Sequence, residues 1–142
     1  MHDNSLILIV EDNPELGARL TRDVRRYGGA EAAELIQEYD EAIARLLNEP
    51  APHAVVMEYR MRAHTGVDLA LWMAAQPRLA DTHRVLYTAT PRALVAQNPA
   101  LAGHSLDMLF ALVVPKGAGS GPRVLAAALS TLPRQVAAGE ED

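Results

Sequence analysis

Hydrophobic and polar positions follow two spacings along this chain. Short, nearly unbroken apolar runs at residues 5–11, 54–59, 83–88 and 108–114 are rich in Val, Ile and Leu. Runs of this length bounded by turn signals predict strands buried on both faces. A weaker run over 30–35 predicts a further strand, although its Ala and Glu are poor strand formers. Between the runs, apolar residues recur at helical spacing. Asn13-Pro14-Glu15 supplies a cap, a proline at the first helical position and an early acid. Leu16, Leu20 and Val24 then form one face before Gly28-Gly29 ends the helix. A second helix is expected over Asp40 to Leu47, through Ala42, Ile43, Leu46 and Leu47. Thr65-Gly66-Val67-Asp68 has the spacing of a capping box and opens a third, carrying Val67, Leu69, Leu71 and Trp72. Thr90-Pro91 opens another, interrupted at Asn98-Pro99, with irregular chain to Asp107. Ser120-Gly121-Pro122 caps the last, which carries Val124, Leu125, Ala128 and Leu129.

Five strands alternating with five helices predict an α/β fold with a doubly wound parallel sheet. Right-handed crossovers favour the five-stranded flavodoxin-like order 2-1-3-4-5. One domain over residues 5–132 and a flexible acidic tail over 133–142 are expected. In that strand order the first and third strands are neighbours where the winding reverses, the place where such sheets bind ligands. Both strands end in acid, so Glu11, Asp12 and Glu58 would meet in one cleft. Three close carboxylates repel, and desolvation worsens the cost. Mg²⁺, a hard ion that takes oxygen ligands, is one solution; a protein ammonium or guanidinium is the other. Acids at exposed strand ends can also simply be solvated.

Composition narrows the choice. The 142 residues carry a net charge of −5, which leaves no basic footprint for nucleic acid or an anionic membrane. No apolar run approaches the roughly 20 residues that span a bilayer. Cys is absent, which removes disulfides, zinc–thiolate sites and cysteine nucleophiles and suits a reducing cytoplasm. Aromatics make up only 4%, too few for base-stacking platforms. The five histidines show no metal-ligand spacing, though His64 lies near the acidic cleft. No phosphate-binding glycine loop and no serine elbow is present. Of the 13 basic residues only Lys116 is a lysine, so its position after the fifth apolar run raises the question of its purpose.

Val10-Glu11-Asp12-Asn13-Pro14, Glu58 followed by Tyr59-Arg60-Met61 and Gly66, Thr88-Ala89, and Lys116 together resemble the receiver domain of bacterial two-component response regulators. The resemblance spans residues 5–132. It implies that Glu11 and Asp12 match two acids that hold Mg²⁺, with the Arg60 backbone carbonyl as a further contact. Glu58 then stands where the family has the aspartate that accepts a phosphoryl group. Thr88 matches the hydroxyl that bonds that group, and Lys116 matches the lysine that pairs with it.

Four departures stand beside these matches. Glu58 is one methylene longer than Asp, and a misplacement of about 1 Å can cost on the order of 100-fold in rate. The longer carboxylate can instead reach toward Lys116 or Thr88 and imitate the charge of a phosphorylated aspartate. Arg62 replaces the usual proline and adds a cation beside the acids. The order Pro115-Lys116 inverts the familiar one, which could shift the lysine by a position, and Leu112 or Val113 stands where a switch aromatic is usual, with Phe110 nearby.

The resemblance implies a cytoplasmic signalling module acting through protein contacts, with a histidine kinase or another signalling protein as partner and a homodimer left open. It implies no enzyme, no nucleic-acid binding by this domain and no membrane. A Mg²⁺-dependent phosphoryl-transfer enzyme and a structural interaction domain with a vestigial site are the competing readings. Leu94, Val95, Leu101 and Leu106 could form an apolar partner surface or belong to the core.

Overall fold

The computed structural model of the chain describes residues 6–27, 33–117, 125 and 128–133. Five strands, β1 (Ile7–Val10), β2 (Ala33–Ile36), β3 (Ala54–Met57), β4 (His83–Thr88) and β5 (Leu112–Pro115), form one parallel sheet. Their order is β2-β1-β3-β4-β5, as the βαβ pattern predicts. Helices α1 (Pro14–Tyr27), α2 (Tyr39–Leu46) and α3 (Gly66–Ala74) connect the first four strands, with a 3₁₀ turn at Pro77–Leu79 after α3.

The unbroken apolar runs have a direct cause. Successive side chains of a strand point to opposite faces, so a strand covered on both faces must be apolar at every position. All four residues of β1 and of β3 are buried. On one face Leu8, Val10, Val55, Met57 and Leu86 pack with Ala42 and Leu46 of α2 and Leu69 and Met73 of α3. On the other, Ile7, Ile9, Val56, Val85 and Tyr87 pack with Leu20 and Val24 of α1 and with Leu125 and Leu129. Leu47, expected on the buried face of α2, is 60% exposed because the helix ends one residue earlier.

The chain between β4 and β5 differs from the sequence reading. It holds two single-turn helices, α4 (Arg92–Val95) and α5 (Leu106–Leu109), with a 3₁₀ turn at Pro99–Leu101 between them. The apolar run 108–114 therefore splits. The Ser105 hydroxyl accepts a hydrogen bond from the Met108 amide (3.3 Å) and captures Met108 and Leu109 in a helical turn, so the strand begins only at Leu112. Val95, Leu101 and Leu106 are core, whereas Leu94 (50%) and Met108 (77%) are exposed. Of the last predicted helix, Leu125, Ala128 and Leu129 are helical, and the caps at 120–122 and the tail 134–142 lie outside the described residues. No helix among the described residues is long and apolar enough to cross a membrane.

Candidate functional site

Register brings the site together. Val10 pairs with Met57 across β1 and β3, so both strands finish level. The hydrogen-bond ladder runs one step further: the Glu11 amide donates to the Ile36 carbonyl (2.9 Å) and the Glu58 amide to that of Val10 (3.1 Å). On the other side Thr88 pairs with Pro115, and the Lys116 amide donates to the Thr88 carbonyl (2.9 Å). Three ionisable residues are thus fixed by backbone bonds at the carboxyl edge of the sheet. Pro115, which lacks an N–H, is tolerated because β5 is an edge strand. Its inverted order does not carry the lysine out of reach of the acids.

Lys116 lies between the two glutamates. Its Nζ donates to Glu11 Oε1 (2.9 Å) and to Glu58 Oε1. Glu11 Oε2 accepts from the Asn13 amide (3.1 Å), and Glu58 Oε2 accepts from the amides of Tyr59 (2.5 Å) and Arg60 (3.3 Å). Glu11 and Glu58 are buried at 3% and 9% exposure, and the Lys116 side chain keeps only 17%. Burial pushes the Glu11 carboxyl above its ordinary range, against the hydrogen bond and charge of Lys116. Burial alone would lower the Lys116 ammonium, but its bonds to Glu58 and Glu11 outweigh that and hold it above its ordinary value.

The loop that carries Glu58 is built around Gly66. The Gly66 amide donates to the Tyr59 carbonyl (2.8 Å), and a Cβ on Gly66 would stand 2.6 Å from the Glu58 carbonyl oxygen. Only glycine allows so close an approach. The predicted capping box follows, with Asp68 donating its amide to the Thr65 hydroxyl (3.2 Å) and its carboxylate accepting from the Thr65 amide (2.9 Å).

The remaining candidates divide. Thr88 is buried, and its hydroxyl accepts from the Thr90 amide (3.1 Å), the local backbone use open to any strand-end hydroxyl. Asp12 is exposed and lines a separate cleft with Tyr39, Asp40, Arg62 and His64. His64 stacks on Tyr39 with ring centroids 3.8 Å apart. Among the described residues no group of three or more His, Cys, Asp or Glu is placed to hold a metal ion. Glu11 and Glu58 are therefore the two acids that share the Lys116 ammonium, which is in contact with both, while Asp12 opens toward solvent.

Two participants had little sequence signal. The Asn13 amide is a backbone donor, invisible in side-chain chemistry. Tyr87 reads as a core residue, yet Lys116 Nζ lies 5.6 Å from its ring centroid. Its place one residue before Thr88 on β4 was the available clue.

A five-stranded parallel sheet of this order, covered by helices on both faces, is the flavodoxin-like fold. Solved structures agree. A sensor protein from Polaromonas sp. JS666 superposes with a TM-score of 0.71 at 18% identity, over 87% of this chain and 91% of that one. A response regulator receiver domain from Rhodospirillum rubrum gives 0.70 at 15% identity, over 91% and 96%. The Mn²⁺-bound form of response regulator Rcp1 gives 0.67 at 19%, over 92% and 99%. No protein-family model and no curated protein sequence matches the chain.

Proposed function

We propose that this chain is a receiver-type module of two-component signalling whose switch site is set by its own charges rather than by an aspartyl phosphate. The observation that carries this is the Lys116 ammonium bridging Glu58 and Glu11. In the resemblance, the lysine pairs with a phosphoryl group attached at position 58. Here the carboxylate of Glu58, one methylene further out, fills that part. Glu58 offers one oxygen to Lys116 and the other to two backbone amides, which hold its carboxylate in the bridge.

On this reading the chain works by contact and not by turnover. Its partner is a histidine kinase or another signalling protein in the cytoplasm, with a second copy of the chain as an alternative. Residues 5–132 form the working unit. Thr88, Asp12 and the Arg60 carbonyl keep the family's positions without a phosphoryl group to serve, and the implied Mg²⁺ would have only the exposed Asp12 to hold it unless Lys116 withdrew.

Intact mass after incubation with acetyl phosphate and Mg²⁺ tests the reading. Wild type is expected to gain no phosphoryl mass, and Glu58→Asp, which draws the carboxylate back from Lys116, to gain one. A phosphoryl adduct on wild type at Glu58 would overturn the proposal.

A further inference from the structure

We infer that Lys116 takes the place of the divalent ion in this chain, so that the acidic pocket holds a cation of its own and does not bind Mg²⁺ or Mn²⁺. This deepens the proposed function and rests on its placement of Glu58 and Lys116.

The argument is an account of oxygen atoms. A hard divalent ion needs carboxylate or carbonyl oxygens at about 2.0–2.1 Å in near-octahedral order. All four carboxylate oxygens of Glu11 and Glu58 already accept hydrogen bonds from the protein: two from Lys116 Nζ, one from the Asn13 amide, and one from the amides of Tyr59 and Arg60. The third acid, Asp12, is exposed and opens onto the cleft beside Arg62 and His64. An ion entering between Glu11 and Glu58 would have to displace the ammonium or sit against it, and like charges at that range repel.

Lys116 is also poorly placed to leave. Its backbone is bonded to Thr88, its side chain is largely buried, and Nζ lies over the Tyr87 ring. A lysine paired with a single acid would leave the other carboxylate free for metal. The extra methylene of Glu58 removes that freedom by bringing its carboxylate to the same ammonium. The pocket's charge then does not vary with the supply of divalent ion.

The test uses ¹⁵N-labelled protein and Mn²⁺ alone, with no phosphodonor. In wild type, millimolar Mn²⁺ is expected to leave the amide signals of Glu11, Asp12, Asn13 and Tyr59 no broader than those of exposed acids elsewhere on the chain. Lys116→Gln is expected to gain selective broadening of those same signals. Selective broadening in wild type, or a folded Lys116→Gln that gains none, would overturn the inference. If Lys116→Gln is partly unfolded, Mg²⁺ should raise its melting temperature while leaving wild type unchanged, because a ligand of the folded state stabilises it; no rise counts against the inference. The two readings fail separately. Wild type that binds Mn²⁺ but takes up no phosphoryl group sinks only the inference about the ion.

Discussion

At the scale of the residue, the site is decided by one methylene and one ammonium. Two buried carboxylates at neighbouring strand ends are tolerable only with a cation between them, and Lys116 is that cation. Breaking such a buried arrangement by removing one partner typically costs about 3 kcal/mol. Lys116→Met should therefore lower stability by about that amount in urea denaturation. Adding Glu11→Gln and Glu58→Gln should restore most of it, because the buried negative charge goes with the lysine. A loss unchanged by the two glutamines would mean that the lysine stem, not its charge, supports the fold. The contact itself was legible beforehand: a lone lysine among twelve arginines and acids closing two apolar runs both drew attention to these side chains. What could not be read was that the ammonium would reach both acids, since that depends on where a side chain four carbons long comes to rest. The exposure of Asp12 was not legible either. Glu11 still bonds into the sheet edge and is buried, whereas Asp12 lies one residue further past the strand and is exposed.

At the scale of the element, periodicity served well wherever a segment had one dominant spacing. Strands β1, β3 and β4 and helices α1 and α3 lie close to their predicted places for this reason. The run 108–114 failed because a short apolar stretch fits a buried strand and a buried helical turn equally well. A single capping serine then decided its first half. The start of α3 is the element on which the site leans, through the close approach of Gly66 to the Glu58 backbone. Gly66→Ala places a methyl group 2.6 Å from a carbonyl oxygen that cannot move without shifting β3. Overpacking of this kind costs about 1–3 kcal/mol. The variant should melt lower and show its largest amide shifts at Glu58 to Arg60, whereas shifts confined to α3 would mean that the helix yields instead.

For the whole molecule, the governing fact is a sheet covered on both faces with its two edges at β2 and β5. Stability should fall off from the centre outward. Leu8→Ala, fully buried on the interior strand β1, should cost about 3 kcal/mol, and Leu112→Ala on half-buried β5 less than half of that. Equal losses from denaturant midpoints would argue that the edge is as tightly packed as the middle. The alternation of apolar runs and helical spacings was enough to predict this architecture, since few topologies satisfy it. It placed α4 only through its Thr90-Pro91 opening and missed α5, a single turn too short to show a period.

The lysine bridge also has a history in time. Lys116 is 105 residues from Glu11 and 58 from Glu58 along the chain. Chains emerge from the ribosome amino end first, so both acids are made well before the residue that reconciles them. Until β5 settles against β4, the edge of the growing sheet holds two carboxylates with no resident cation. The arrival of the last strand therefore relieves a repulsion set up by the first, and the pocket takes its final charge only when the sheet is complete.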